Sequence, residues 1–139
     1  MVSDNVPEVL LEMTVKDVCE EFGITADTLR YYERVGAIPK VARTKGGIRE
    51  YDAEAIGWVR NAVCLRKAGV SVEAIAEYVR LFEMGDETLK DRLELLIGER
   101  NGLKTQLDEL TAAVELLDWK ISRYQEAVET GVLSWEKNE

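Results

Sequence analysis

The sequence predicts a mainly α-helical protein in which a winged helix-turn-helix head is followed by a long helix that dimerises as a coiled coil. Two observations predict this fold. An apolar ladder runs through residues 86–129 with alternating steps of four and three residues, the period of a coiled coil. Ahead of it, two short helical patterns separated by Gly23 are followed by a hairpin pattern, the order typical of a helix-turn-helix with a wing.

Helix starts are marked by side chains that can cap free backbone N–H groups. The capping residues are Thr14, Thr25, Asp52, Ser71 and Asp86. They predict helices over residues 14–22, 25–35, 52–68, 71–83 and 86–129. The head therefore spans residues 14–83, between a flexible leader of residues 1–13 and a tail of residues 130–139.

The wing is predicted over residues 40–51, as two short strands around the turn Thr44-Lys45-Gly46-Gly47. Gly36 and Pro39 end the preceding helix, because proline cannot continue it. Basic side chains at the tip and flanks of the hairpin give the wing a positive charge.

The ladder of the last helix predicts a homodimer. At about 1.5 Å per residue the helix would be roughly 66 Å long, and no other helix in the chain could cover its apolar seam. The seam residues are Leu89, Leu93, Leu96, Leu103, Leu107, Leu110, Val114, Leu117 and Ile121, continued by Tyr124 and Val128. Arg100 alone interrupts the apolar pattern, either to set the register of the helices or to reach past the seam to a head.

The length and composition of the chain exclude several classes of protein. The 139 residues allow about one compact domain plus the long helix. No apolar stretch approaches the roughly 18 residues of a membrane span, and the acidic N-terminus is not a secretory signal, so a cytoplasmic protein without membrane contact is expected. The chain has no histidine and only two distant cysteines, Cys19 and Cys64, so no enzyme, metal or cofactor is expected.

The net charge of −9 would disfavour the binding of nucleic acid if the charge were evenly distributed along the chain. However, residues 83–139 carry −7, whereas residues 30–49 carry +5. Screening confines charge effects to about 10 Å at moderate salt, so an acidic dimer helix is compatible with a basic reading head.

The residues of the predicted helix 25–35 are the main indication of DNA binding. Thr25 can present helix N-terminal amides to a phosphate. Arg30 and Arg34 supply positive charge, and the rings and hydroxyls of Tyr31 and Tyr32 suit sugar and phosphate contacts. The alternative is a solvated helix with two core tyrosines.

Residues Thr14–Tyr51 resemble the DNA-binding head of the MerR family of bacterial transcription regulators. The resemblance lies in Thr25-Ala26-Asp27-Thr28-Leu29-Arg30-Tyr31-Tyr32-Glu33, followed by Gly36, Ile38, Pro39 and the Arg49-Glu50-Tyr51 run. The helix pair up to Phe82 and the long C-terminal helix fit the layout of the family, so the resemblance covers nearly the whole chain.

This resemblance implies double-stranded promoter DNA as the partner, with the recognition helix in the major groove and the wing on flanking phosphates. The implied contacts are Thr25, Thr28, Arg30, Tyr31, Tyr32 and Arg34 of the helix and Arg43, Lys45 and Arg49 of the wing. It also implies an antiparallel coiled coil, and a regulator that bends and untwists the promoter so that bacterial RNA polymerase can use it.

The resemblance also bears on what the protein senses. Metal-sensing members carry cysteines at the start of the dimer helix and after it, and residues 86–93 and 130–139 contain none. Cys64, in a short chain, resembles the AdhR/NmlR-like branch linked to aldehyde and thiol stress. Arg60 and Lys67 lie one helical turn away on either side and can favour a reactive thiolate. The alternative is an inert cysteine packed between helices, as is expected for Cys19 on the core stripe of the first helix.

Two other functions remain open. The protein could bind and bend or repress DNA constitutively, without an effector, or it could be a coiled-coil adaptor whose head binds protein. Trp58, Trp119 and Trp135 are interpreted as packing residues, and Trp135 could cover a pocket between the helix end and the head of the partner subunit.

Overall fold

The computed structural model describes residues 12–136. In chain order the elements are β1 (Glu12–Met13), α1 (Val15–Phe22), α2 (Ala26–Val35), β2 (Tyr51–Asp52), α3 (Ala53–Lys67), α4 (Val72–Glu83), a 3-10 turn (Asp86–Thr88) and α5 (Leu89–Thr130). The mainly helical fold with one small sheet and a long C-terminal helix is thereby confirmed. None of the helices within these residues is long and apolar enough to cross a bilayer.

Four of the five predicted helix starts are confirmed by their caps. The side chains of Thr14, Thr25, Asp52 and Ser71 each accept a hydrogen bond from the backbone N–H three residues later. At Thr14 the contact is reciprocal, because the Asp17 carboxylate also accepts from the Thr14 N–H. These bonds join residues close in sequence, so the sequence alone predicts them.

The fifth predicted start, at Asp86, is wrong. Residues 86–88 form a 3-10 turn without a side-chain cap, and α5 begins at Leu89. The buried Thr88 hydroxyl lies 2.5 Å from the Leu81 carbonyl oxygen and 2.9 Å from that of Gly85, which tightens this turn. Arg92 Nε donates to the Thr88 hydroxyl and Nη2 to the Gly85 carbonyl, so the start of α5 is bound to the end of α4.

The head begins earlier than predicted. Glu12 and Met13, assigned above to the leader, form β1 and pair antiparallel with β2, with Met13 opposite Tyr51. Met13 is buried, and this apolar contact explains why the boundary moves. The remainder of the predicted leader, residues 1–11, lies outside the described residues.

The core of the head lies where α1 packs on α2 and α3, and α3 packs on α4. Trp58 lies at its centre, with its ring 5.0 Å from that of Phe82 and 6.0 Å from that of Tyr78. This confirms Trp58 as a packing residue. The other large, fully buried side chains are Tyr51, Leu29, Ile38, Ile56, Ile75, Val18, Val59 and Val79.

Tyr51 is the polar exception in this core. Its hydroxyl is buried without a hydrogen-bond partner in the described chain. Burial, followed by the charge of Glu33, raises the pKa of Tyr51 to about 12, so the hydroxyl stays protonated.

Because an unpaired buried hydroxyl is destabilising, Tyr51→Phe is expected to raise the free energy of unfolding by about 1 kcal/mol. For a chain of this size that raises the Tm by roughly 2–6 °C. Thermal unfolding followed by circular dichroism measures the shift. Tyr31→Phe is the control, because its ring is partly exposed, and it should leave the Tm unchanged. A lower Tm for Tyr51→Phe would show that the hydroxyl is hydrogen-bonded in solution.

The structure divides into two units after Ile97, and the second consists of residues 98 onward. Within this unit the seam side chains of α5 are exposed, except that Leu103 is half-buried. Arg100 is also exposed, and its Nη2 donates to the side-chain oxygen of Asn101.

The tail returns onto α5 after Gly131, whose φ of +78° ends the helix. The Trp135 ring lies 5.4 Å from that of Trp119 and 5.7 Å from that of Tyr124, and Arg123 Nη1 donates to the Glu136 carbonyl oxygen. Trp119 and Trp135 are therefore packing residues, and the ladder position Tyr124 is partly covered by the tail.

Candidate nucleic-acid interface

The N-terminus of α2 is organised by two threonines. Gly23 adopts a φ of +66°, which makes the tight turn from α1, and Thr25 then caps α2. The Thr25 hydroxyl accepts from the Thr28 N–H and donates to the Thr28 hydroxyl. The cap holds the positive end of the helix in place, where an anion such as a phosphate is favoured.

Three side chains of α2 project outward from the head. Arg30 is exposed and pairs with Asp27 through a contact of 2.5 Å, and such surface pairs contribute little stability, so the guanidinium remains available to another anion. Tyr31 is 37% exposed. The Arg34 guanidinium lies 5.4 Å from the centre of the Tyr31 ring, which places charge and ring side by side.

Tyr32 does not belong to this surface. Its side chain is only 7% exposed, because it lies one helical turn after the fully buried Leu29. The ring was predicted to contact DNA, and the structure corrects this by placing it in the core. Of the two adjacent tyrosines, Tyr31 is the exposed one.

The wing is a hairpin with less strand than predicted. Its pairing consists of one antiparallel bridge between Arg43 and Arg49, flanked by the hydrogen bonds from Thr44 N to Ile48 O and from Glu50 N to Ala42 O. Two regular strands do not form over residues 40–50. The paired strand lies further along the return arm, at β2.

The tip of the wing presents positive charge. Arg43 is exposed, and its Nη1 donates to the Gly47 carbonyl oxygen, 2.9 Å away, across the turn. Gly47 adopts a φ of +81°, which a side chain would strain. Lys45 is exposed at the turn. The predicted wing residues Arg43 and Lys45 are therefore accessible to a polyanion.

The third predicted wing contact, Arg49, is half-buried, and its side chain is paired with the carboxylate of Glu33 on α2. Its Nε donates to Glu33 Oε1 at 2.6 Å, and the Val41 N–H donates to Glu33 Oε2 at 2.9 Å. Burial opposes ionisation of this carboxyl, but the Val41 hydrogen bond, the hydrogen bond and charge of Arg49 and the charge of Arg43 outweigh it, so the pKa of Glu33 is lowered. From the sequence, Glu33 was predicted only as part of the family pattern, although it is the single acid between residues 30 and 49.

The two cysteines differ in environment. Cys64 is a free, exposed thiol on α3, so the alternative of a cysteine packed between helices is wrong for the single chain. Near it, Arg66 Nη1 donates to the Val70 carbonyl oxygen, and the Arg60 guanidinium lies 5.8 Å from the centre of the Phe22 ring. Cys19 is half-buried, and burial is the main cause that raises the pKa of its thiol, with Glu20 adding to it and Arg30 opposing it.

The head thus exposes three sets of groups: the capped N-terminus of α2, the outward side chains of α2 and the basic wing tip. These groups are donors and cations, which suit a phosphate backbone and the acceptor-rich edges of bases. No group of three or more Cys, Asp or Glu side chains in the described range 12–136 could hold a metal ion.

Comparison with known proteins agrees with this geometry. The model of the MerR helix-turn-helix family of regulatory proteins matches residues 13–81. The transcriptional regulator AdhR of Bacillus subtilis is 50% identical over 91 residues, which span 66% of this chain and 65% of AdhR. An uncharacterised helix-turn-helix transcriptional regulator of Haemophilus influenzae is 32% identical over 118 residues, or 85% of this chain and 87% of that protein.

Two solved structures share the fold. A MerR family transcriptional regulator from Listeria monocytogenes matches with a TM-score of 0.81 and 39% identity, over 86% of this chain and 90% of that one. HiNmlR, a MerR family regulator lacking the sensor domain and solved bound to promoter DNA, matches with a TM-score of 0.76 and 32% identity, over 86% and 95%. The chain therefore belongs to the MerR family of helix-turn-helix transcription regulators, as its recognition helix, wing and long last helix indicate.

Proposed function

We propose that the protein is a transcription regulator that binds promoter DNA in the cytoplasm as a homodimer. The observation that carries this proposal is the set of exposed groups on α2 and the wing. They are Arg30, Tyr31 and Arg34 of α2, behind its Thr25 cap, and the wing cations Arg43 and Lys45. The structure of HiNmlR on promoter DNA, which this chain matches over 95% of that protein, supports the same use of the head.

The homodimer is proposed from α5. Its seam side chains recur with the coiled-coil period and, apart from the half-buried Leu103, are exposed in the single chain. Apolar area of this extent is stabilised by burial against a second copy. A dimer presents two heads, and two heads read two half-sites of a palindromic promoter.

We further propose that the dimer activates transcription by distorting the promoter for RNA polymerase, in response to aldehydes or other thiol-reactive electrophiles. The resemblance to AdhR supports the branch, and the exposure of Cys64 supports the sensor. An aldehyde would add to the thiol to form a hemithioacetal, in which sulfur bonds to the carbonyl carbon and the thiol proton passes to the oxygen. The adduct would alter packing on α3 and thereby bias the DNA-bound shape.

A regulator without an effector is the second candidate. It is favoured by HiNmlR, which lacks the sensor domain and of which this chain spans 95%. In that case Cys64 is a surface thiol without a role, and the promoter responds only to the amount of protein. The adaptor hypothesis has no observation of its own in the structure.

DNA binding is tested with the promoter upstream of the gene of this protein, against a scrambled duplex of equal length. Arg30→Ala is expected to weaken promoter binding by about 1–3 kcal/mol through loss of a base or fixed phosphate contact. Lys45→Ala is expected to weaken both duplexes similarly and to reduce the salt slope by about one. Fluorescence anisotropy over a salt series measures both.

Lys104→Ala is the control, because it removes a positive charge from α5, outside the head. It should bind as the parent does. If the Arg30 and Lys45 variants also bound as tightly as the parent, another surface would contact DNA.

A further inference from the structure

Glu33 connects the recognition helix with the wing. It lies on α2, and its two carboxylate oxygens accept hydrogen bonds from two different points of the wing segment. Oε2 accepts from the Val41 N–H, where the chain enters the wing, and Oε1 accepts from Arg49 Nε, where the chain leaves it. The side chains of Glu33 and Arg49 are 12% and 24% exposed.

This arrangement fixes the wing at both arms. Val41 is buried, and the bridge to Arg49 brings Arg43 onto the same hairpin. Arg43 in turn reaches across the turn to the Gly47 carbonyl oxygen. A displacement of Glu33 would therefore move both arms of the wing relative to α2.

The ion pair with Glu33 uses one of the three guanidinium nitrogens of Arg49. Only Nε contacts Glu33, so the terminal nitrogens Nη1 and Nη2 take no part in this contact. Since the guanidinium is planar, a hydrogen bond that fixes Nε also fixes the direction of the two terminal N–H groups. An arginine held in this way can bind a phosphate without losing the freedom of its side chain at that moment.

We propose that Glu33 is a positioning residue for DNA binding: it orients the wing against the recognition helix and holds the Arg49 guanidinium ready for a backbone phosphate. Glu33 itself does not touch DNA, and Arg49 acts as a contact only while it is paired. This inference rests on the proposed DNA-binding function.

For a variant in which Glu33 is neutralised, a positioning role and net charge predict opposite changes in DNA affinity. Glu33 is the single acid among residues 30–49, which carry a net charge of +5, so neutralising it makes the head more positive. On electrostatics alone, Glu33→Gln should tighten DNA binding and steepen its salt dependence. If Glu33 positions Arg49, the same substitution should weaken binding.

The experiment compares Glu33→Gln with Glu50→Gln, which removes the same charge from an exposed position next to Arg49. Binding of each variant to the promoter duplex is measured by anisotropy over a salt series, and circular dichroism monitors folding. Glu33→Gln is expected to bind about tenfold more weakly, the effect of one charge-assisted hydrogen bond, with a salt slope smaller by about one. Glu50→Gln is expected to bind as tightly as the parent or more tightly.

Arg49→Lys is the second variant and keeps the fold and the charge. A lysine nitrogen can pair with Glu33 or bind a phosphate but lacks the separate Nε and Nη groups, so it should also bind about tenfold more weakly. The double variant Glu33→Gln/Arg49→Lys should bind DNA no more weakly than either single variant. Each substitution by itself already disrupts the same Glu33–Arg49 pair, so the two effects do not add.

Parent-like or tighter binding by Glu33→Gln, or weaker binding with an unchanged salt slope, would overturn this inference and leave the proposed function intact. Parent-like binding by Arg49→Lys would overturn it as well. A parent protein that does not distinguish the promoter from the scrambled duplex would overturn both.

Discussion

Replacing Leu107 and Leu110 together with aspartate is expected to convert the proposed dimer to monomers and to abolish specific promoter binding. Both side chains are exposed seam residues near the middle of α5. Burial of one leucine contributes about 1.5–3 kcal/mol, and each position contributes in both subunits. Aspartate would also place charges in the seam. Sedimentation equilibrium measures the mass, and anisotropy measures promoter binding.

The chain offers a matched control for the seam. Leu116 and Leu117 are adjacent and equally exposed, at 53% and 56%, but only Leu117 lies on the ladder. Leu117→Asp is expected to weaken the dimer strongly, whereas Leu116→Asp should leave its mass unchanged. Equal effects of the two, or a stable dimer from the Leu107/Leu110 variant, would exclude the seam as the interface.

Replacing Cys64 with serine is expected to abolish the response to electrophiles while leaving promoter binding unchanged. Serine keeps the size of the side chain and removes the nucleophilic sulfur, and the thiol is exposed on α3, so the fold should tolerate the change. Promoter output is measured with and without an added aldehyde in cells that carry the parent or the variant. Normal induction in the Cys64 variant would favour a regulator without a thiol sensor.

Cys19→Ser is the matched control. The Cys19 thiol is half-buried, and burial is the main cause that raises its pKa, which disfavours the reactive thiolate. This variant should keep induction and lose only a little stability. Loss of induction in the Cys19 variant alone would place the sensor on α1.

The Thr88 and Arg92 contacts bind the start of α5 to the end of α4 within the head. Because these contacts join the first turn of α5 to the head, we expect a repacking within the head to move that turn as well. Neither Thr88 nor Arg92 was predicted from the sequence to have this role, because their partners lie in the turn at the end of α4.

The sequence alone determined the features that depend on neighbours in the chain. The caps at Thr14, Thr25, Asp52 and Ser71 join residues three apart, so residue type and spacing predict them. The ladder of α5 is equally local, because a helix of this length is continuous and its period decides which side chains share a face. The DNA-binding head was predicted through a residue pattern specific to a family, whose model then matched residues 13–81.

Only the tertiary structure decided which of the candidate residues are exposed and which are buried or paired. Tyr31 and Tyr32 are indistinguishable by type, and packing against the core separates them. Arg49 pairs with Glu33 across 16 positions, and Met13 pairs with Tyr51 across 38, so both contacts exist only once distant segments meet. The exposure of Cys64 likewise depends on which faces of α3 are covered by neighbouring elements. Local hydrogen bonds follow from the order of residues, whereas burial and long-range pairing follow from how the whole head packs.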